Sequence, residues 1–533
     1  MSSRRDDRPY DTHSPDREWD YVVIGSGMGG MATAALLART GARCLVLEQH
    51  YVPGGFTHTF KRKRWVWDVG VHAIGEVNER ALLGRVLNDL AKSRIEWASL
   101  GGVYDTFEFP DLRLDFPDSR TRFEHVLCDA FPGDTGAIRT YLERTREISS
   151  AMRSYYLAKM LPPQWAPVAE RVLARRAHHE LEKHNADVLD TLTPNKRLQT
   201  VLTAQWGYYG STPKHSSWAV HALVARHFLH GAFYPVGGAS QIAHALLSTV
   251  AEAGGWTRIK ADVAEIVVRD GAATGVRLAS GEEIRAKRVV SATGALTTVK
   301  KLLPASERQK PWAKRIAALE SSPAHVCLYL GFKGDIRSAG ASASNQWFYE
   351  TWDNEAAYWD AIDPKAEAPV LYCSFPSLKD PSHDPGPDQL HTGEVVTFVP
   401  YGAFEQWNES RWMRRSDDYD SFKNAMQERL LAQYLRHMPA LRPMIVHAEI
   451  STPLSTEWFA RGSSGAIYGL EHTPRRFANP YLRPRTPVKN LFMSGSDVSI
   501  GGVMGAFVGG LLAAASAEPA KVVAHFRSLG GVR

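Results

Sequence analysis

The sequence predicts an α/β fold, a doubly wound parallel sheet into which a second, α+β unit is inserted. Three observations predict it. Residues 20–55 carry a strand, a glycine-rich turn, a helix and a second strand in one βαβ unit. Residues 490–515 hold another buried strand, then an acid and a glycine-opened helix. Between them, apolar runs at 325–331, 369–375 and 394–399 read as strands of an antiparallel sheet.

The first unit is the most specific. Residues 21–24 form an apolar run suited to a buried parallel strand. Gly25, Gly27 and Gly30 follow at G-x-G-x-x-G spacing, with Met28 and Gly29 between them, and a small-residue helix covers 31–39. After a turn at Gly41, the second strand (43–47) ends at Glu48, near the offset of about 20 residues at which an acid meets a ribose. Gly25 permits the tight turn, Gly27 lets backbone approach a pyrophosphate, and Gly30 lets helix and strand pack closely. The helix N-terminus offers its N–H groups and dipole to phosphates. Past Glu48, Gln49 leads to the pair Gly54-Gly55, which allows a second close approach to the ribose–pyrophosphate arm. That pattern suits FAD better than a nicotinamide dinucleotide.

Residues 48–75, EQHYVPGGFTHTFKRKRWVWDVGVHAIG, resemble the amino-terminal signature of the phytoene desaturase-like flavoproteins. The similarity is strongest to their retinol saturase and carotenoid isomerase branch, where GG-x-x-H-x-F leads to D-x-G-x-H-x-x-G. The resemblance reaches from residue 20 to about residue 515 through separated landmarks, including Y-P-x-GG at 234–238 and the stretch 452–468. One departure stands out, because Phe56 occupies a place where desaturases and amine oxidases often have Arg. The resemblance implies that the loop 68–75 passes the isoalloxazine ring, which makes His72 a candidate catalytic or flavin-tuning group. His58 is a weaker candidate, and either histidine could be satisfied by backbone alone. The resemblance also puts the backbone of Val263 at the adenine.

Composition bounds the rest. A chain of 533 residues exceeds what one hydrophobic core usually serves, so two or three domains are expected. The apolar fraction of 44% and charged fraction of 23% are those of an ordinary globular protein. The net charge of +6 is mildly basic, with no compact block to suggest nucleic acid, but it suits an anionic membrane surface. Cys44, Cys128, Cys327 and Cys373 are far apart, which argues against a metal site or disulfide framework and for a reducing, cytoplasmic compartment. Residues 1–18 are polar and read as a disordered tail, and no apolar run reaches the length of about 18 residues that a spanning helix needs.

Along the chain, residues 56–68 read as a hairpin whose basic run, 61–64, is either a solvated tip or, with Trp65 and Trp67, a patch facing a membrane or the substrate's way in. Helices are expected at 79–90 and 134–159. The segment 155–184, with Trp165 among Arg171, Arg175 and Arg176, is either an interfacial amphipathic helix or a lid packed on the body. Tyr208, Tyr209, Phe233 and Tyr234 are candidates for lining an elongated apolar pocket, or ordinary core. Further helices are expected at 215–228, 241–253 and 419–438. Residues 256–265 and 267–278 are expected as strands of one meander, and 288–294, ending at Gly294, as the strand closing the third layer. Near the carboxyl end, Gly495 and Asp497 follow a strand, and the next helix opens at Gly501-Gly502. Asp497 is expected to bond ribityl or pyrophosphate groups, while Gly502, Val503 and Met504 turn N–H groups to the flavin.

The expected organisation is a FAD domain from 19–75, 232–300 and 486–520, and a substrate domain from 76–231 and 301–485. The resemblance implies non-covalent FAD and hydride transfer at the carbon–carbon double bonds of a polyene or isoprenoid lipid: saturation, desaturation or isomerisation. The electron donor or acceptor is left open. Two alternatives remain, a flavin oxidase of another apolar substrate and a non-catalytic lipid escort. Intact Gly25, Gly27, Gly30, Glu48 and Asp497 argue against the escort. A cytoplasmic protein, peripheral to a membrane, fits these expectations.

Overall fold

Parallel strands buried on both faces need continuous apolar runs, and WDYVVI, CLVL and LFM supply them. In the computed structural model, which describes residues 8–528 except 162–164, 166, 167, 169 and 171, these runs form one sheet. Trp19–Ile24 pairs with Cys44–Leu47 on one side and with the apolar end of Glu283–Ser291 on the other, both parallel. Trp256–Arg258 lies outside Cys44–Leu47, and Leu491–Met493 lies outside Glu283–Ser291, again parallel.

Two expectations are corrected here. Residues 256–265 are two strands, because Lys260 takes a positive φ of 54° and ends the extension after Arg258. The meander starts only at Val263–Arg269, which pairs antiparallel with Ala272–Leu278. The apolar residues from Arg288 on do not close a third layer. They are one end of Glu283–Ser291, whose polar end pairs with the meander while its apolar end sits mid-sheet.

The helix Met28–Arg39 is buried from Met28 to Ala38 between Ser240–Glu252 and Gly502–Ala517. Small residues set the last contact. A Cβ on Gly29 would lie 2.4 Å from the Cα of Gly495, and one on Gly509 would lie 2.0 Å from the Gly495 carbonyl oxygen. Thr33 completes the seam, donating to the carbonyls of Gly29 (2.8 Å) and Gly510 (3.1 Å) beside Ser494 Oγ.

A second sheet of seven strands runs in the order Ile445–Ser451, Ala324–Lys333, Leu390–Val399, Val370–Ser374, Asn345–Tyr349, Val103–Phe109, Leu112–Pro117. It is antiparallel except where Asn345–Tyr349 runs parallel to Val103–Phe109. The helices Thr135–Met160, Trp218–His227 and Asp417–His437 lie close to their expected positions. The cores cross the expected boundaries: Val86, Leu87 and Leu90 pack with Met31 and Leu36, while Trp312 and Ile316 pack with Val22 and Leu45.

Two further expectations change. The part of the tail from residue 8 to 18 is tied down: Asp11 bridges to Arg258 alongside the edge strand, and Trp256 Nε1 donates to the His13 carbonyl (2.9 Å). The two indoles of the hairpin Thr59–Arg62 and Trp65–Asp68 are buried, Trp67 Nε1 donating to the Leu330 carbonyl (3.0 Å), so they are not a surface patch. Of the segment 155–184, residues 162–164, 166, 167, 169 and 171 lie outside the described residues. The rest begins in Thr135–Met160 and includes exposed Leu157, Trp165, Val168, Val172 and Leu173. Among the described residues no single helix is long and apolar enough to cross a membrane.

The helix seam makes a stability test. Gly509→Ala is expected to cost about 1–3 kcal/mol by overpacking. Calorimetry should show a lowered melting temperature, while Gly133→Ala, with open space at its Cβ, should leave it unchanged.

Candidate active site

The glycine turn is built as its spacing requires. Gly25 has a φ of 93° and donates to the Leu47 carbonyl (2.8 Å), closing the turn onto the neighbouring strand. Gly30 has no room for a Cβ, which would lie 2.1 Å from the Gly25 oxygen, whereas a Cβ on Gly27 would meet nothing within 4 Å. Two helices point their N-termini into one cavity. Met28–Arg39 is capped by Gly27 and Gly502–Ala517 by Gly501, with no side-chain cap and no acid in either first turn. Their leading N–H groups and dipoles are left for anionic or acceptor groups, so the cradle fits the phosphates and flavin of a dinucleotide.

The cavity, about 630 Å³, runs on continuously from this cradle. Gly25, Gly27, Met28, Gly29, Glu48, Gln49, Gly55, Phe56, Val263, Gly294, Gly495, Gly502, Val503 and Met504 line one part, and His72 faces it from the hairpin side. The remainder is walled by Tyr208, Leu223, Val224, Phe228, Trp347, Tyr372, Phe398 and Tyr468. Of the four aromatics expected near 208–234, only Tyr208 lines it. Tyr209 bonds His221, and Phe233 and Tyr234 pack elsewhere.

Gly30, Gly54 and Asp497 do not line the cavity; they shape it. Asp497 acts as a clamp. Its Oδ2 accepts from Ala295 N–H (2.6 Å) and its Oδ1 from Leu470 N–H (2.8 Å), joining three segments at the end of Leu491–Met493. Buried Arg476 stands near it and holds the Leu470 carbonyl (2.7 Å). Glu48 has both roles open. One oxygen accepts from the Ser26 N–H (3.0 Å) and hydroxyl (2.6 Å), and the other from His50 N–H (2.8 Å) with a lone pair to spare at the cavity wall. Ser26 in turn receives the Gly54 N–H (2.9 Å), so Glu48 fixes the turn between Gly54 and Gly55. Gln49 donates to the Phe459 carbonyl (2.7 Å) and accepts from Arg461, which the sequence did not single out.

His58 is not a cavity residue. Its Nδ1 meets the Gly55 carbonyl (2.5 Å), and burial pushes its pKa down to about 4. Asp68 explains why two distant landmarks occur together. It accepts from the Tyr234 hydroxyl and from Ala239 N–H (3.0 Å), binding the Y-P-x-GG element to the DVGVH loop. Burial, reinforced by Glu394, raises Asp68 to about 7.

Behind His72 lies a buried polar cluster that sequence reasoning missed. Lys379 Nζ donates to the His72 carbonyl (2.7 Å), Asn345 Oδ1 (2.5 Å) and Ser374 Oγ (2.7 Å). Asn345 donates onward to Asp105 (2.9 Å), which also accepts from Tyr208 OH (2.6 Å). His72 Nδ1 lies 2.9 Å from a Glu394 oxygen. Burial lowers His72 to about 3 and Lys379 to about 8, and raises Asp105 to about 6.

The family model described as flavin containing amine oxidoreductase matches residues 28–517. The all-trans-retinol 13,14-reductase of Danio rerio is 31% identical over 92% of this chain and 84% of its own length, as is the Homo sapiens protein of that name. The chloroplastic prolycopene isomerase of Daucus carota is 25% identical, over 85% of this chain and 72% of its own. Putrescine oxidase with putrescine bound superposes with a TM-score of 0.60 at 16% identity, over 95% of this chain and all of that one. Cyclohexylamine oxidase from Brevibacterium oxydans gives 0.57 at 17% identity over 96% of this chain and all of its own.

The bonds of Glu48 supply a direct test. Glu48→Ala removes three acceptor contacts at the cradle, each about 1.5–3 kcal/mol when the acceptor is charged. The purified variant is expected to retain less flavin per chain by about tenfold or more, read from absorbance after desalting.

Proposed function

Because the chain belongs to the flavin containing amine oxidoreductase family, we propose that it is an enzyme that binds FAD non-covalently and saturates a carbon–carbon double bond of a hydrophobic polyene. One observation carries the reading: a single cavity joins the glycine cradle to an aromatic wall. A dinucleotide and an elongated apolar molecule thereby meet in one dry space, with His72 at their junction. The identity to the retinol 13,14-reductases favours saturation over the isomerisation named for the more distant prolycopene isomerase. Among the described residues no cysteine lines the cavity, in keeping with non-covalent FAD.

The chain's own residues would divide the work as follows. Glu48 and the backbone near Val263 hold the adenosine arm, and the N-termini at Met28 and Gly502 take the pyrophosphate and the flavin. Bound flavin supplies the hydride chemistry. Trp347, Tyr372 and Phe398 orient the polyene and exclude water. The protein takes that polyene from a membrane surface, because Leu157, Trp165, Val168, Val172 and Leu173 are exposed close to Arg153, Arg175 and Arg176.

Mass spectrometry of the product tests the activity. With an electron donor and an all-trans polyene alcohol, the expected product is two hydrogens heavier than the substrate. An unchanged mass with a new isomer, or a product two hydrogens lighter, overturns saturation. Heat denaturation is expected to release intact FAD into solution, and flavin left on the chain contradicts non-covalent binding. The membrane reading expects co-flotation with anionic vesicles at low salt and release at high salt. Protein left in the dense fraction at low salt overturns it.

A further inference from the structure

The cluster behind His72 holds three buried carboxyl groups, Asp68, Asp105 and Glu394, against the single ammonium of Lys379. Unpaired charge in a dry interior is costly enough that a carboxyl group takes up a proton instead. Hydrogen bonds say which one. Asp105 receives donors from Tyr208 and Asn345, and Asp68 receives them from Tyr234 and Ala239. Among the described residues, no side chain donates to Glu394, whose own side chain is fully buried: it meets the backbone of Asp68, and His72 Nδ1 lies 2.9 Å from one of its oxygens. The proton therefore belongs on Glu394. With Nδ1 buried against Glu394, the exposed remainder of the His72 ring, 16% of its side chain, is the part the cavity meets.

Resting on the saturation reading above, we propose that Glu394 is a positioning residue that stores a proton for His72, and that His72 delivers this proton to the polyene. When a double bond is saturated, one carbon gains a hydride and its neighbour gains a proton. Flavin held in the cradle would supply the hydride, its two electrons coming from an external donor. The proton leaves His72 Nε2 for the carbon as the Glu394 proton passes to Nδ1. His72 ends neutral, and Glu394 is left as a carboxylate near Lys379 until a solvent proton restores it.

Around Glu394 stand His72 and Asp68, Lys379 from Pro376–Lys379, Cys327 and Tyr329 from Ala324–Lys333, and Tyr372 from Val370–Ser374. Tyr234 faces it as well. Burial pushes Glu394 up to about 8 against the pull of Lys379. The store is therefore full below that pH and empties as pH rises through it.

Infrared spectroscopy of the resting holoenzyme at neutral pH reads the proton without any turnover. A carboxylic-acid carbonyl band is expected that shifts in D2O, fades as pH rises through about 8, and is missing from Glu394→Gln. A Glu394→Gln spectrum identical to that of the unaltered enzyme overturns the proposal. In kinetics, Glu394→Gln is expected to keep its flavin and slow saturation at least tenfold, with loss of the alkaline limb. His72→Gln, the second variant, is expected to keep the infrared band and lose turnover to the same extent. Unaltered rates in either variant overturn the relay. If no polyene is reduced under any condition, the saturation reading fails, and the infrared band still decides whether Glu394 holds a proton.

Discussion

The structure depends on how closely two glycine-faced helices approach at the end of the parallel sheet. Gly29, Gly509 and Gly510 leave no room for a Cβ where Met28–Arg39 and Gly502–Ala517 meet at Gly495, and Thr33 with Ser494 satisfies the carbonyls at the seam. That contact joins the two ends of the chain. It also sets two uncapped helix N-termini on one cavity, so the packing that stabilises the sheet creates the electropositive cradle.

Everything inserted between those ends serves to bring a second wall to the same cavity. The seven-stranded sheet presents Trp347, Tyr372 and Phe398, and the hairpin that docks its buried indoles on Ala324–Lys333 delivers His72 between the two. Asp68 then locks the hairpin to the Tyr234 element, and Lys379 holds the His72 loop by its carbonyl. Lys379 thereby pairs a carbonyl that would otherwise face a dry interior alone.

Much of the cradle was legible in the sequence because its signals are local. Gly25, Gly27, Gly30 and Glu48 lie within one βαβ unit, and Gly25 by its positive φ and Gly30 by its lack of space have the steric reason their spacing implies. The loop at His72 was legible through family resemblance. The clamp at Asp497 was not legible, because an acid after a strand looks the same whether it meets a ligand or two backbone N–H groups. Glu394, Lys379 and Asp105 gave no signal at all. Each is one polar residue in or beside an apolar strand, and only pairing across hundreds of residues brings them behind His72. The break at Lys260 was equally hidden, since nothing local marks a lysine for positive φ.

In the proposed reaction, flavin and polyene meet across one shared cavity. The most direct measurement is an anaerobic stopped-flow spectrum, in which the protein with its flavin already reduced is mixed with one equivalent of polyene. The account requires the oxidised flavin absorbance to return in a single phase as the polyene absorbance disappears, at matching rates and in equal amounts. Flavin that stays reduced while a bound polyene persists unchanged would contradict it.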